Sequence, residues 1–348
     1  MSNFNLDSLV RPNIRKLKAY SSARGEFQGN GEKMMLLDAN ESPFENGLNR
    51  YPDPQHRKLR ARVSEIKDVP VENILLGNGS DELINLFFNA FCQPREDNVI
   101  VLPPTFGMYE VQANISDIEL QKIELSEDFQ PNIDRILEAS NANTKMLFIC
   151  SPNNPTGNSI DTDKIEQLLN QFKGLVVIDE AYIDFSSKPS WTKRLNDFPN
   201  LIIIQTLSKA YGLAGIRLGM CYASKEIIEI LNRLKLPYNI NSLTQRKALS
   251  KLENLPLIQE KIERLLEGRE FVVSQLQKID CITTIYPSDA NFVLAKFDDA
   301  DKRYKELIAK GIVVRNRSTQ HGCSSTLRLT IGTREENIVL IKALKDLV

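Results

Sequence analysis

Histidine is nearly missing from this chain: only His56 and His321 occur among 348 residues. A His-rich metal centre is thereby excluded, and little is left for a mechanism built on a dedicated His–Asp pair. Cysteine is sparse as well. Cys92, Cys150, Cys221, Cys281 and Cys323 are scattered singly with no CxxC pair, which reads as reduced thiols of a cytosolic protein rather than a disulfide framework or a zinc site. Long hydrophobic stretches are lacking too. The longest apolar runs have four to five residues, as at Leu201 to Ile204, far short of the ~20 needed to span a bilayer. The N-terminus, MSNFNLDSLVRPNIRK, carries charge throughout and does not read as a signal peptide. The expectation is a soluble, cytoplasmic protein with no membrane partner.

A surplus of either charge is also absent. Lys and Arg number 44 against 45 Asp and Glu, a formal net charge of −1, so the broad positive field behind non-specific nucleic-acid binding does not arise. No GxGxxG follows the first strand-like segment, which excludes a nicotinamide-dependent Rossmann enzyme. Repeats and low-complexity tracts are missing as well. What remains is an ordinary globular composition, 42% hydrophobic and 26% charged. A chain of this length suits about two domains and buries about three quarters of its unfolded surface without covalent staples.

From about residue 70 to 235 short apolar, β-branched runs alternate with amphipathic segments. ILLG (74–77), NVIVL (98–102), MLFIC (146–150), LVVID (175–179) and LIIIQ (201–205) have the form of buried parallel strands. Helical patterns at 81–91 and 161–172 lie between them. The expected architecture is α/β, with a mostly parallel sheet flanked by helices and the ligand site at the carboxyl ends of the strands. After about 240 the rhythm becomes α+β: a helix at 257–278, strands CITTIY (281–286) and NFVLAKF (291–297), and a helix near 300–310. IVVR (312–315), TLRLTI (326–331) and a final helix from about Arg334 complete it. The expected division is an arm at 1–35, including SSARGEFQGNGEK (21–33), a large domain at 36–240 and a small domain at 241–348.

Four polar clusters fall just past the carboxyl ends of those strands. GNGSDEL (77–83) joins a strand to a helix, where glycines permit close backbone approach and free N–H groups favour a phosphate. SPNNPTG (151–157) is a rigid loop presenting Asn153 and Asn154. LVVIDEAYIDF (175–185) ends a buried strand on Asp179, a carboxylate that needs a cation or a ligand. TLSKAYGLAGIRLG (206–219) places Lys209 and Arg217 after LIIIQ, where desolvation and nearby cations can lower an amine pKa. Taken singly, the clusters are equally a turn, an N-cap, a solvated strand end and an exposed lysine. Together and in order, they are the parts pyridoxal phosphate needs: a lysine to bond it, a carboxylate for its ring nitrogen and a phosphate cup.

LDANESP (37–43), RYPDPQ (50–55), GNGSDE, PPTFGMY (103–109), SPNNPTG, DEAY, TLSKAYGLAGIRLG and LRLTIGTREEN (327–337) resemble the fold-type-I pyridoxal-phosphate aminotransferases. Within them the likeness, which spans nearly the whole chain, is to the histidinol-phosphate aminotransferase family. It implies a seven-stranded large-domain sheet. It also implies that Lys209 bonds the cofactor and then shuttles a proton, that Asp179 pairs with the ring nitrogen, and that Asn154 and Tyr182 bond the ring's 3-oxygen. Gly79, Ser80, Asp81, Ser208 and Arg217 hold the phosphate. Phe106 stacks on the ring where many relatives carry tyrosine. Tyr51 reaches the cofactor phosphate of a neighbouring subunit, which makes the enzyme a homodimer with shared sites. Arg315 and Arg328 bind the substrate's anionic groups, with Tyr20 assisting from the arm.

The activity this implies is amino transfer from L-histidinol phosphate to 2-oxoglutarate in histidine biosynthesis, without a metal. Two alternatives share the same cofactor cradle: an aromatic amino acid aminotransferase and a threonine-phosphate decarboxylase. A ligand-sensing regulator would need an added DNA-binding module, and residues 1–35 are too short and irregular for one.

Overall fold

The computed structural model describes residues 4–18, 20 and 35–347. Seven strands form one sheet: β1 (Ile74–Gly77), β2 (Asn98–Val101), β3 (Glu119–Lys122), β4 (Thr144–Cys150), β5 (Leu175–Asp179), β6 (Leu201–Thr206) and β7 (Gly219–Ala223). Their order is β1-β7-β6-β5-β4-β2-β3. The pairs from β6 through β3 are parallel, whereas β7 runs antiparallel to both β6 and β1. All five expected strands are present within two residues of their expected limits.

β3 and β7 were not among the expected strands. β3 is an edge strand of sequence ELQK, half-exposed, so it carries no apolar run to mark it. β7 opens on a glycine and follows the polar 206–217 loop so closely that its apolar residues read as part of that loop. Apolar residues on both faces of the sheet pack into two core layers, one including Leu76, Leu147 and Ile178, the other Leu75, Phe148 and Val177. Adjacent residues of one strand thus serve opposite layers, as the two-residue period of a strand requires.

A second sheet, wholly antiparallel, has the order β10-β11-β9-β8: β8 (Ile282–Ile285), β9 (Phe292–Phe297), β10 (Arg315–Asn316) and β11 (Thr326–Thr330). The helix Leu255–Leu276, capped by Asn254, and the helix Arg334–Lys345 cover it, the latter opened by a capping box of Thr333 and Glu336. The strand expected at 312–315 is corrected to the two residues Arg315 and Asn316. Gly311 turns the chain off the preceding helix in a left-handed conformation, and the Ile312 N–H is still bonded to Leu307 O (2.9 Å), so pairing starts only at Arg315.

The described start of the expected arm is partly helical. Two short helical turns, Leu6–Leu9 and Pro12–Arg15, bury Leu9, Val10 and Ile14 against the large sheet's core. The Arg11 N–H bonds Ala90 O (3.0 Å). The SSARGEFQGNGEK segment at 21–33 lies outside the described residues.

Because β7 is antiparallel to both neighbours, β1 points the same way as β6. The ends of β1, β2, β4, β5 and β6 and the start of β7 therefore share one edge of the sheet. Every polar cluster singled out above leaves that edge.

Candidate active site

Asp179 closes β5, opposite Cys150 in the register, and is 3% exposed. Its Oδ2 accepts from the Tyr109 hydroxyl at 2.7 Å and its Oδ1 from the Ala181 N–H at 3.0 Å. Burial pushes its pKa up to about 6, with the tyrosine and backbone donors pulling the other way. Glu180, the next residue, has a separate cluster: Trp191 N–H (2.7 Å), Gln205 Nε2 (2.8 Å) and the Ser190 hydroxyl bond its carboxylate. Glu180 is thereby satisfied, and Asp179 is the acid left facing the strand ends.

The loop after β1 makes a tight cradle. Gly79 has φ +81° and leads into the twelve-residue helix Ser80–Phe91, whose first-turn N–H groups have no intrahelical acceptor. β7 approaches so closely that a Cβ on Gly219 would lie 2.5 Å from Ser80 N. A Cβ on Gly79 would lie 2.7 Å from Arg217 Nη2. That guanidinium pairs with Asp81 Oδ2 at 3.2 Å. Ser208 is set by Thr206, whose hydroxyl bonds the serine hydroxyl (2.9 Å) and accepts from its N–H (3.1 Å). Asp81 and Arg217 thus meet beside the Gly79–Ser80 backbone donors, and Ser208 follows the end of the adjoining β6.

Lys209 follows Ser208, its Nζ 5.6 Å from the centroid of the Tyr182 ring. The side chain opens to solvent on one side, yet partial desolvation lowers its pKa, reinforced by the Arg328 cation and opposed by Asp179. Tyr182 is buried and packs edge-on against Phe292 (5.1 Å). Arg328 lies over the same Phe292 ring at 5.1 Å and donates from Nη1 to Asn154 Oδ1. Arg315 sits directly across from Arg328 in the β10–β11 register. The second sheet thereby brings its cations to the end of the first.

The SPNNPTG loop is fixed from within and from the second sheet. Asn153 Nδ2 donates to Pro104 O and Thr156 Oγ1, both at 2.8 Å, so it holds the loop while Asn154 faces Arg328. Gly157 (φ +87°) lies against Ser288, and Asp289 N–H bonds Gly157 O at 2.7 Å.

Phe106 is half-buried, its ring edge-on to Tyr109 at 5.6 Å. Tyr20 and Tyr51 form no contact with the Lys209 cluster among the described residues: Tyr20 is 76% exposed, and Tyr51 stacks on Tyr238 at 4.4 Å. Three residues of the site were not singled out from sequence. Tyr109 lies in the first turn of the helix Met108–Ile115, and its sequence neighbourhood does not mark it as a partner of Asp179. Thr206 has no signal beyond its place at a strand end. Arg317 repeats Arg315 at strand alternation in VVRNR.

The comparisons with known proteins fit this geometry. The model of the aminotransferase class I and II family matches residues 30–344. The chain belongs to the aminotransferase class I and II family. A relative from Flavobacterium psychrophilum, called histidinol-phosphate aminotransferase, is 56% identical over 347 residues, covering 100% of each chain. Another of that name, from Flavobacterium johnsoniae, is 54% identical and covers 99% of each chain. Among solved structures, the histidinol-phosphate aminotransferase from Clostridium acetobutylicum is similar with a TM-score of 0.79 and 26% identity, over 86% of this chain and 91% of that one.

Pyridoxal phosphate is the cofactor of this family, and two features of this aminotransferase fit it. A buried carboxylate with an elevated pKa suits a protonated ring nitrogen. A cradle of helix N–H groups beside Arg217, which a Cβ on Gly79 would fill, suits a phosphate.

Proposed function

We propose that this enzyme transfers the amino group of L-histidinol phosphate to 2-oxoglutarate, giving imidazole acetol phosphate and L-glutamate in histidine biosynthesis. The observation that carries the proposal is the meeting of Lys209, the Tyr109-bound Asp179 and the Arg328–Asn154 pair at one sheet edge. Full-length relatives that bear the name of this activity support the substrate.

When bound, the cofactor supplies an aldehyde carbon to take the amine and a protonated ring to withdraw electrons from it. Asp179 would hold a proton on the ring nitrogen, and Phe106 would flank the ring. Asn154 and Tyr182 would hold the 3-oxygen, and Gly79, Ser80, Asp81, Ser208 and Arg217 would hold the phosphate. Lys209 Nζ would take the proton from the substrate's amine-bearing carbon. Its lowered pKa keeps more of the amine in the unprotonated form this step requires. Arg328 and Arg315 bind the substrate's anionic groups with their planar forks, Tyr20 assisting.

The same reading makes the protein a cytoplasmic homodimer in which Tyr51 completes the partner's phosphate site. Exposed apolar residues that precede it in the chain, Leu37, Phe44 and Leu48, favour a covering second copy. It divides the chain into an arm (1–35), a large domain (36–240) and a small domain (241–348), each domain with its own sheet.

The test is glutamate formation by the cofactor-loaded enzyme with L-histidinol phosphate, L-phenylalanine or L-threonine phosphate as donor. A clear preference for histidinol phosphate supports the reading. Turnover or carbon dioxide release with another donor alone contradicts it.

A further inference from the structure

The β10–β11 pairing continues one step past its two strand residues: the Arg317 N–H bonds Thr326 O at 3.0 Å. By strand alternation Arg317 then lies on the same face as Arg315, and Thr326 on that of Arg328. Arg317 and Arg328 both act electrostatically on the buried Tyr182 hydroxyl, so the two guanidiniums share the Tyr182 side of the site. The Nε of each is buried and has no hydrogen-bond partner among the described residues. The Ser318 hydroxyl beside Arg317 is likewise without a partner, whereas Gln320 Oε1, also without one, is an acceptor and no match for an anion.

Buried donors without acceptors are unfavourable by about 1–3 kcal/mol each when nothing pairs with them, so a cluster of them beside a reaction centre marks a ligand's place. Burial and the neighbouring Arg328 and Arg315 lower the Arg317 pKa to about 10, which leaves it charged at neutral pH. Three like charges are gathered here, and an anion is what relieves them.

We propose that Arg317 is a specificity-determining residue that, with Arg328, grips the substrate's phosphate. This inference rests on the substrate reading given above. Arg328 is the cation that bears most on Lys209, whereas Arg317 stands two residues back along the ladder. In histidinol phosphate the anion is joined to the amine-bearing carbon through a CH2–O link, so it extends further from Lys209 than the α-carboxylate of glutamate. A phosphate monoester also carries about −1.5 to −2 charge and three terminal oxygens, against one charge and two oxygens for a carboxylate. Arg328 and Arg315 suffice for a carboxylate. The phosphate, with a third terminal oxygen and more charge, calls on a further fork, and Arg317 supplies it.

The experiment compares wild type, Arg317→Gln and Arg317→Lys with L-histidinol phosphate, L-histidinol and L-glutamate as donors, and measures inhibition by inorganic phosphate. For Arg317→Gln we expect kcat/KM with histidinol phosphate to fall about 10–100-fold, mostly through KM, and the phosphate inhibition constant to rise in parallel. Histidinol and glutamate should change less than about threefold, and Arg317→Lys should recover part of the loss. Equal losses for all three donors, or an unchanged histidinol phosphate KM, overturn the inference. If Arg317→Gln does not fold, the lysine variant decides: a loss confined to histidinol phosphate supports the role, and a uniform one overturns it. Wild type that ignores histidinol phosphate overturns the substrate reading itself, an outcome separate from any variant.

Discussion

Tyr109 and Asp179 come from helix and strand 70 residues apart, and the phenol donates to the carboxylate at 2.7 Å with both side chains buried. Stacking on Phe148 at 4.7 Å locks the ring that makes this bond. Tyr109 thereby positions the acid that, in the proposed reading, pairs with the cofactor nitrogen.

Replacing Tyr109 with phenylalanine keeps the stack and removes the donor. A hydrogen bond to a charged group is worth about 1.5–3 kcal/mol, so kcat should fall roughly tenfold or more while both substrate KM values move little. In the cofactor-free protein the Asp179 pKa should rise, since the carboxylate loses a donor that holds it down. Steady-state kinetics and a pH titration of the cofactor-free protein check the two effects. An unchanged kcat would show that the bond is idle.

Asp179 also makes a prediction for the cofactor-free protein. Its folded pKa of about 6 lies above the ordinary value of 3.8, so the fold holds this proton more tightly than the unfolded chain. Stability is lost as pH rises from about 4 to about 6 and stays lost above that range. Asp179→Asn lacks the titration. Its stability relative to cofactor-free wild type should therefore grow with pH and level off roughly 3 kcal/mol higher than at low pH. Urea unfolding of both proteins at pH 5 and pH 8 measures the change. A gap that stays constant between those pH values contradicts the shifted pKa.

Gly219 tests the phosphate cradle. An alanine there puts its methyl carbon 2.5 Å from Gly79 C and Ser80 N, so the turn must move. We expect about 1–3 kcal/mol of lost stability and a weaker grip on the cofactor. Denaturation midpoints and equilibrium dialysis of the cofactor report the two effects. Wild-type affinity in a destabilised variant would mean that the turn does not hold the phosphate.

Much of this was legible in the sequence, for a physical reason. Strands buried on both faces must be apolar throughout, so β4, β5 and β6 announce themselves, and their polar ends mark the sheet edge that carries Lys209, Asp179 and Asn154. Edge strand β3 escapes because half-exposed positions tolerate Glu and Lys. β7 escapes because the glycine that lets it approach Ser80 hides its start. Tyr109 and Arg317 depend on contacts between segments distant in the chain, and local pattern carries no record of those. Gly311 shortened the expected 312–315 strand by turning the backbone where the side chains alone favour extension.

The central claim is that Lys209 moves a proton at the amine-bearing carbon of histidinol phosphate. The most direct measurement mixes cofactor-loaded enzyme with L-histidinol phosphate alone, without an acceptor, and follows loss of the cofactor's aldehyde-form absorbance in a single turnover. Wild type should convert fully and release imidazole acetol phosphate, while Lys209→Ala should be slower by about a thousandfold or more. Equal rates in the two proteins, or no conversion by wild type, would contradict the account.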